Sequence, residues 1–477
     1  MKPYISISLL AISALASCTK PEKKQPNIVF ILSDDHSYPY LGCYGSPDLK
    51  TPNIDKLAED GVLYHRAYTT APQSVPSRAS LMTGRNVLDV EMSRFSAPLQ
   101  RKYIAFPEIL RENGYFTGIC GRSYHLDGSD TKAPETIKTF EKYNLETFKD
   151  RVDYLRKGSD SLAVEQFREF LDLVPGGKPF FIQVNFHDPH RDFTAYEYEP
   201  DPTTIKMPSS MPDNKEFRAE QAGLYGEINR LDENVGYVLK ELEKRNLTDN
   251  TLIVFMGDNG SALLRGKGTL YDCGLHVPLI VKWKGKTKKN VDSYSLFSGE
   301  DLGPTFLDAA GIGVPEYMSG KSFVPTFTDP DYTVRDEMFA VRVSHGSGLP
   351  RSTDHFDLSR TVFTKDYKLI YNVLWQEQYY PVDFVNMPSW KSLEELHNKG
   401  ILEAKFEETI FPEKRPMFEL YDLRNDPDEF VNLSGRPEYK SIEDSLKGKL
   451  HEWMIVYRDY VPLPIETEKT KPAANKK

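Results

Sequence analysis

Four runs of mostly apolar residues, rich in β-branched and aromatic side chains, begin at residues 27, 115, 179 and 251. Polar residues follow the end of each run. Such runs are typical of parallel strands that are buried on both faces of a sheet, and a shorter run over 61–68 indicates one more strand. The segments between these runs predict helices over residues 51–58, 106–113, 159–173 and 217–245. Strands that alternate with helices predict an α/β fold.

The pattern changes from about residue 324 to Asp- and Pro-rich connections between alternating strands. A hairpin is predicted over 361–371, a strand over 419–423 and a last helix over 442–457. A chain of 477 residues is too long for one small core. We therefore predict a large α/β domain and a smaller C-terminal α+β domain. The predicted divisions are 1–17 (signal peptide), 18–26 (tether), 27–325 (main domain), 326–465 (C-terminal domain) and 466–477 (tail).

The N-terminus has the pattern of an export signal. Lys2 precedes an apolar run from Ile5 to Ala16, which is too short to span a bilayer. The sequence Leu15-Ala16-Ser17-Cys18 also matches a bacterial lipobox, in which Cys18 is lipidated. The alternative is a plain signal peptide with an incidental cysteine. We expect an exported protein whose only contact with the membrane is a lipid anchor.

Composition excludes some classes of partner. The formal net charge is −10, and nucleic-acid binding requires a basic surface, so we expect no nucleic-acid partner. An anionic substrate remains compatible, because a pocket inside an acidic protein can be locally basic. Cys43, Cys120 and Cys273 are too widely spaced for a zinc site or a disulfide framework.

Two predicted strands end in oxygen ligands. Asp34 and Asp35 follow the first strand, and Asp258 and Asn259 follow the strand that begins at residue 251. Adjacent carboxylates repel each other, so burying them together requires a cation. Carboxylate and amide oxygens suit Ca²⁺ or Mg²⁺. The alternative is a solvated loop start, but two strands that end alike favour a metal site.

The sequence around Ser74 combines a hydroxyl nucleophile, Pro76 and Arg78 at the start of a predicted helix. Free N–H groups at a helix N-terminus and the guanidinium of Arg78 would both favour an anion there. The alternative is an ordinary N-capping serine. Further polar side chains that follow predicted strands or precede them are Arg122, His125, His187, His190, Arg191, Lys267 and His276.

The twelve residues from Ser74 to Arg85 resemble the signature of the type I sulfatases, Cys/Ser-x-Pro-x-Arg followed by a segment ending in Thr-Gly-Arg. The sequence Phe-His-Asp-Pro-His-Arg at 186–191 resembles the heparan N-sulfatase (sulfamidase) branch. This resemblance implies an alkaline phosphatase-like fold with a mixed, mostly parallel sheet and a small C-terminal antiparallel sheet. It also implies that a maturase oxidises Ser74 to formylglycine (3-oxoalanine).

The resemblance further assigns roles. Asp34, Asp35, Asp258, Asn259 and residue 74 would bind one Ca²⁺. Catalytic residues would be Ser74, Arg78, His125, His187 and Lys267, with His187 as the general acid. Candidate substrate contacts are Arg122, His190, Arg191 and His276. Two positions depart from the family pattern, since Arg122 replaces a lysine, with one extra residue before His125, and His276 replaces an arginine.

We therefore expect a carbohydrate sulfatase that removes a sulfate ester or a sulfamate from a glucosamine-type residue of a heparin-like, heparan-like or mucin-like glycan. The lipobox and the serine-type motif together suggest the periplasm or surface of a Gram-negative bacterium. One alternative is a phosphatase or phosphodiesterase of the alkaline phosphatase superfamily that uses an unmodified serine. Another is a glycan-binding lipoprotein without catalysis.

Overall fold

The computed structural model describes residues 25–92, 98–122, 124–126, 134–145, 148, 150–345 and 357–464. The predicted signal peptide with Cys18 and the predicted tail lie outside the described residues. None of the helices among the described residues combines the length and the apolar character that crossing a membrane requires.

Fourteen strands are described, and their bounds are β1 Asn27–Ser33, β2 Val62–Tyr64, β3 Ala67–Tyr68, β4 Phe116–Gly121, β5 Tyr154–Leu155, β6 Phe180–Asn185, β7 Thr251–Gly257, β8 Leu279–Trp283, β9 Val291–Ser293, β10 Phe297–Ser298, β11 Met338–Arg342, β12 Ser359–Phe363, β13 Tyr367–Asn372 and β14 Phe418–Asp422. The α-helices of the same residues are α1 Pro52–Glu59, α2 Ser74–Thr83, α3 Phe106–Glu112, α4 Pro134–Lys142, α5 Asp160–Leu173, α6 Lys215–Lys244, α7 Asp272–Leu275, α8 Leu302–Ala309, α9 Pro388–Asn398, α10 Ala404–Ile410 and α11 Lys440–Val456.

Eight strands form the large sheet, in the order β5-β4-β6-β1-β7-β8-β2-β9. The strands from β5 to β7 are parallel, and β8 runs antiparallel to both of its neighbours. β1 lies at the centre between β6 and β7. The prediction of a mixed, mostly parallel sheet is therefore confirmed.

Both faces of β1 are covered, which explains its unbroken apolar run. Ile28, Phe30 and Leu32 belong to a core cluster on one face, together with residues of α2, α3 and α8. Val29 and Ile31 belong to a second cluster on the other face, with residues of α1, α5 and α6. Successive side chains of a strand point to opposite faces, so this division follows from the strand geometry.

The four-stranded antiparallel sheet β11-β12-β13-β14 contains the predicted hairpin as β12 and β13. Helix α11 packs against β12 and β13, and the Trp453 ring stacks on Phe339 with centroids 5.0 Å apart. The predicted C-terminal antiparallel sheet is confirmed, while the domain boundary near residue 325 stays a prediction.

The segment 61–68 forms two strands where the sequence predicted one. β2 joins the large sheet, and β3 pairs with β10 in a separate two-stranded sheet. The polar residues His65 and Arg66 lie between them and interrupt the apolar pattern. The chain therefore leaves the large sheet at this point and continues toward α2.

Candidate active site

The carboxyl ends of the parallel strands β1, β4, β6 and β7 meet at one edge of the large sheet. Ligands of open α/β sheets bind at this edge. Asp34, Arg122 and Asp258 directly follow β1, β4 and β7, and His187 is the second residue after β6. Helix α2 begins beside them.

Ser74 is the first residue of α2, two positions earlier than the predicted helix start, and Gln73 before it is extended (φ −151°, ψ 135°). All ten residues of this helix are buried. The Ser74 hydroxyl oxygen lies 3.2 Å from Asp34 Oδ1 and 3.0 Å from Asn259 Oδ1. The serine therefore faces the ends of both β1 and β7.

Arg78 lies one helical turn after Ser74 and links three strands. Its Nε donates to Asp258 Oδ2 over 2.8 Å, and one terminal nitrogen donates to Asn185 Oδ1 over 2.9 Å. The other terminal nitrogen lies 3.4 Å from Asp34 Oδ2. The planar guanidinium is suited to several acceptors at once.

The acids and the amide are joined by their own hydrogen bonds. The Asp35 backbone N–H donates to Asp258 Oδ1 over 2.9 Å, and Asn259 Nδ2 donates to Asp35 Oδ1 over 2.8 Å. Asp35 has a positive φ of 59°, which turns the chain directly after β1. The predicted metal ligands thus lie together, and their role as ligands stays a prediction.

Burial and neighbouring charges separate the pKa values of the three carboxyls. Burial raises the pKa of Asp258 to about 6, and the charge of Asp34 adds to this rise. Burial also raises the pKa of Asp35, although Lys267 opposes the rise. Burial also acts to raise the pKa of Asp34, but the charges of Arg122 and Arg78 outweigh burial and hold this pKa well below its usual value. Close carboxylates disfavour one another's ionised form, and a cation between them would relieve this.

Two further basic groups surround Asp34. Arg122 Nε lies 2.8 Å from Asp34 Oδ2 and donates to His125 Nε2 over 2.9 Å. His125 Nε2 in turn lies 3.6 Å from the same carboxylate oxygen. The extra residue between Arg122 and His125 therefore does not keep either side chain away from the acids.

Lys267 occupies the side of the cluster near Asp35. Its Nζ lies 2.9 Å from Asp35 Oδ2, 3.0 Å from Asp383 Oδ2 and 3.2 Å from His190 Nε2. Burial would lower the pKa of Lys267, but the two carboxylates outweigh burial and raise it. Lys267 is therefore a buried, charged ammonium group.

His187 and His190 follow β6, and their ring centroids are 4.9 Å apart. Burial lowers the pKa of His187 to about 4, with Arg122 acting in the same direction. Burial and Lys267 lower the pKa of His190 to about 3. Both imidazoles are thus neutral at neutral pH while the site holds no anion.

Arg191 and His276, two of the candidate substrate contacts, are held by partners of their own. Arg191 forms an ion pair with Glu220 and donates to the Ala262 carbonyl over 2.9 and 3.1 Å. Burial lowers the pKa of Arg191, while the charges of Asp35 and Asp383 oppose this, so Arg191 lies within electrostatic reach of the acids. His276 stacks on Tyr38 and Tyr68, with centroid distances of 4.0 and 4.3 Å.

Sequence reasoning missed Asn185 and Asp383. Asn185 is the last residue of β6, and its position beside a predicted site histidine was a usable signal. Asp383 lies in a loop of the C-terminal region that carries no motif, so only the folded chain brings it to Lys267.

The donor set fits a divalent cation. Oxygen atoms of Asp34 and Asp35 and a nitrogen of His190 lie within 4.8 Å of one another. The cluster contains four carboxylates, Asp34, Asp35, Asp258 and Asp383, and three cations, Arg78, Arg122 and Lys267. Its net charge is therefore negative, and one divalent ion would make it positive, as an anionic substrate requires.

Comparison with known proteins agrees with this geometry. A family model described as Sulfatase matches residues 26–312, and one described as N-sulphoglucosamine sulphohydrolase, C-terminal, matches residues 264–398. The fold and the family match define a hydrolase of sulfate esters or sulfamates. The chain belongs to the sulfatase family.

Relatives cover nearly the whole chain. An ulvan-active sulfatase of Formosa agariphila is 30% identical over 458 residues, which are 94% of this chain and 84% of that protein. Human N-sulphoglucosamine sulphohydrolase is 27% identical over 472 residues, 90% of this chain and 89% of that protein. An N-acetylglucosamine-6-O-sulfatase of Bacteroides thetaiotaomicron is 24% identical, with 98% and 94% covered.

Solved structures share the fold. One structure, in complex with D-glucosamine-2-N,6-O-disulfate, has a TM-score of 0.69 at 20% identity and covers 93% of this chain and 100% of that chain. A phosphonate monoester hydrolase of Agrobacterium radiobacter has a TM-score of 0.69 at 18% identity, with 91% and 96% covered. These likenesses confirm the alkaline phosphatase-like architecture.

Proposed function

We propose that this sulfatase removes a sulfate ester or a sulfamate from a glucosamine-type residue of a sulfated glycan, using formylglycine made from Ser74 and one Ca²⁺. The observation that carries the proposal is the position of the Ser74 hydroxyl. It lies between Asp34 and Asn259, at the start of a buried helix and beside three cations. This arrangement offers a nucleophile position beside cations that suit an anion.

The metal would be held by oxygen atoms of Asp34, Asp35, Asp258 and Asn259, together with residue 74. Hard oxygen ligands of this kind suit Ca²⁺. When present, formylglycine supplies an oxygen nucleophile for sulfur, and Ca²⁺ neutralises charge on a sulfate oxygen.

The chain's own cations would bind the remaining sulfate oxygens. Arg78, Arg122 and Lys267 are held in place by acids of the cluster, so they need no rearrangement to stabilise negative charge that develops during the reaction. Preorganised donors in a site that excludes water contribute strongly to such catalysis. His190, which contacts Lys267, would lie at the same side of the substrate.

Two histidines would handle protons. His125 would orient or deprotonate the attacking group, and His187 would protonate the departing sugar oxygen or nitrogen. His187 is neutral without substrate because its pKa is about 4. A bound sulfate group would raise that pKa, because a nearby negative charge favours the imidazolium form.

Some of the relatives support the choice of sugar. The C-terminal family match and the human relative both carry the name N-sulphoglucosamine sulphohydrolase, and another relative is named N-acetylglucosamine-6-O-sulfatase. The ulvan-active relative is a sulfatase named for a different glycan. Arg191 lies within electrostatic reach of Asp35 and Asp383 and remains a proposed substrate contact, whereas His276 stacks on Tyr38 and Tyr68 and is assigned no part in binding the reacting sugar.

The experiment uses protein produced together with an oxygen-sensitive radical maturase, with Ser74→Ala as the comparison. We expect sulfate release from N-sulfated or 6-O-sulfated glucosamine by the parent protein and at least a hundredfold less by the variant. Mass spectrometry of the peptide that contains Ser74 should show oxidation. Equal turnover by both proteins, or release confined to galactose-type sugars, would contradict the proposal. Hydrolysis of phosphate esters with an intact serine would favour the phosphatase alternative.

We also propose export and lipid attachment through Cys18. The support is the sequence pattern of residues 2–18. Wild-type protein expressed in a Gram-negative host should fractionate with membranes, and Cys18→Ala should move it to the periplasmic fraction. The same distribution for both proteins would contradict the anchor.

A further inference from the structure

A cavity of about 840 Å³ lies at the same edge of the large sheet as the acid cluster around Ser74, which we call the catalytic cluster. It is bordered by the segment after β1, by the carboxyl end of β2 and by the residues that precede β8. We call this cavity the aromatic groove and define it by Tyr38, His65, Arg66, Tyr68, His276 and Tyr294. None of the acids or cations of the catalytic cluster lines it.

Aromatic side chains stack in pairs along the groove. His65 and Tyr294 stack with centroids 4.7 Å apart and planes at 10°. Tyr38 and His276 stack at 4.0 Å and 10°, and the Tyr38 hydroxyl lies 3.3 Å from His65 Nδ1. His65 is also fixed by Asp292 at 3.0 Å. The rings are therefore held rigidly.

Tyr294 leaves a ring surface open. His65 stacks on the ring, and yet 55% of the residue is exposed. What sets Tyr294 apart from other exposed tyrosines is the stacked His65 behind its ring, which leaves one aromatic face available for stacking against a ligand.

Charged groups surround the rings. The cations are Arg66, Lys206 and Lys365, and Arg66 is tied to the Lys365 carbonyl by a 2.6 Å hydrogen bond. Acidic lining residues are Asp48, Asp272 and Asp428. Asp272 forms an ion pair with Lys368, and Asp292 lies beside His65, so the groove carries charges of both signs, with Arg66, Lys206 and Lys365 as its lining cations.

We propose that the aromatic groove binds a sugar unit of the glycan other than the one that loses sulfate. This inference rests on the proposed function, because it takes the same sulfated glycan as its ligand. One face of a pyranose ring is apolar C–H surface that can lie on the Tyr294 ring. The ring's hydroxyl groups can bond to Tyr38 and Arg66, and its acidic substituents can pair with Arg66 and Lys206.

The size of the cavity agrees with this ligand. Small-molecule sites are about 300–1,000 Å³ and combine aromatic walls with a few polar groups, and the groove meets both conditions. Because groove and catalytic cluster lie at one edge of the sheet, a single glycan chain could reach both sites. The enzyme would then bind an oligosaccharide more tightly than the reacting monosaccharide.

The test measures binding by calorimetry in a Ser74→Ala background, which prevents turnover. The probes are a heparin-derived tetrasaccharide and N-sulfoglucosamine. Adding Tyr294→Ala should raise the dissociation constant of the tetrasaccharide about three- to tenfold, the usual contribution of one aromatic contact. The monosaccharide constant should not change. Tyr294→Phe should retain the parent's affinity, and Lys206→Ala should reduce the salt dependence of tetrasaccharide binding.

Tyr143→Ala is the matched control, because Tyr143 is a similarly exposed tyrosine (62%) that does not line the groove. Unchanged tetrasaccharide binding in Tyr294→Ala, equal weakening of both probes, or no tetrasaccharide binding by the parent would each overturn the inference. Binding that depends on Tyr294 in a protein whose matured form releases no sulfate would overturn the proposed function alone.

Discussion

Individual charges in the proposed catalytic cluster are balanced by partners from distant parts of the chain. Lys267 lies between Asp35 and Asp383, and Arg78 contacts Asp258 and Asp34. A charge buried without a partner is strongly destabilising. Each side chain therefore acts both in the proposed chemistry and in holding the others, and substitutions here should affect activity and stability together.

Arg78→Lys should reduce sulfate release about a hundredfold or more. Lysine keeps the positive charge but loses the fork that contacts Asp258 and Asn185 together, and removal of one preorganised donor commonly has an effect of about 10²–10³. The measurement is kcat on a sulfated glucosamine. Arg101→Lys, at an exposed ion pair with Asp150, should leave kcat unchanged. Comparable kcat values for Arg78→Lys and the parent would contradict the role of the fork.

The sequence could identify those site residues that adjoin a predicted strand or helix start. Asp34, Asp258 and Ser74 were found because buried runs or a helix start adjoin them. His276 and Arg191 also adjoin such elements, yet their side chains point to Tyr38 and to Glu220. Side-chain direction at a strand end depends on the loop that follows, and loop geometry is not a periodic property.

At the scale of elements, α2 connects Ser74, the proposed nucleophile position, to the core. Its residues are buried along the whole helix, and Gly84 ends it in the left-handed region with φ 63°. A β-carbon on Gly84 would meet Met318 Sδ and Pro304 Cδ at 2.9 Å each. The helix end is therefore fixed by close packing as well as by backbone conformation.

Gly84→Ala should lower the free energy of unfolding by at least roughly 1–2 kcal/mol, the usual penalty of the left-handed conformation for a residue with a β-carbon. Denaturant unfolding measures this change. Gly448→Ala in α11 is the control, because its β-carbon would meet nothing within 4 Å. The control should be stabilised by roughly 0.5–1 kcal/mol. Equal effects at both sites would contradict the packing argument.

A shared lysine links α7 to the C-terminal sheet. Lys368 of β13 pairs with both Asp272 and Glu429. Burial raises the pKa of Glu429 from 4.5 to about 7, while Lys368 opposes this rise. At Asp272 burial acts in the same direction, but Lys368 and His276 together outweigh it and lower the pKa. The negative charge of Asp272 is thus stabilised more than the negative charge of Glu429.

The folded protein therefore keeps a proton on Glu429 between about pH 4.5 and 7, where the unfolded chain has released it. Stability contributed by this group is greatest below pH 4.5 and is lost as the pH rises through 7. In the parent protein this group should make the unfolding free energy fall by on the order of 1–3 kcal/mol between about pH 4.5 and 7. Glu429→Gln should remove that decrease. Glu395→Gln, an exposed control, should not. A profile unchanged by Glu429→Gln would contradict the pKa shift.

Elements with a clear periodic pattern were predictable. The runs of β1, β6 and β7 and the long helix α6 are confirmed within a few residues. Helices α4, α9 and α10 and strand β11 were not predicted, although α9, with 11 residues, is longer than the predicted α1, with 8. Length alone does not explain these misses, and tertiary packing outweighs local preference in such elements.

At the scale of the whole molecule, the C-terminal region completes the edge of the large sheet that carries the catalytic cluster. Asp383 reaches Lys267, and Lys365 borders the aromatic groove. The two regions are therefore joined at both sites by side-chain contacts as well as by the backbone.

Calcium should stabilise the whole protein, because its proposed ligands come from β1, β7 and α2. We expect Tm to rise with added Ca²⁺ and to fall with a chelator. A ligand at a hundredfold excess over its Kd contributes about 2.7 kcal/mol. Asp258→Asn should reduce this response, and Asp444→Asn on the exposed face of α11 should not. A Tm that is insensitive to both Ca²⁺ and chelator would contradict the metal site.

The sequence by itself determined the class of fold, the order of the main strands and helices, and the family signature around Ser74. All three depend on local sequence patterns. A strand that is buried on both faces has a continuous apolar run, a helix that is buried on one face has apolar residues at a period of about 3.6, and the signature is a fixed motif. Only the tertiary structure decided which charges pair. Asp383 pairs with Lys267, and His276 stacks on Tyr38. The aromatic groove forms from segments more than two hundred residues apart in the sequence. Such contacts depend on how loops close in three dimensions, and no local pattern encodes that.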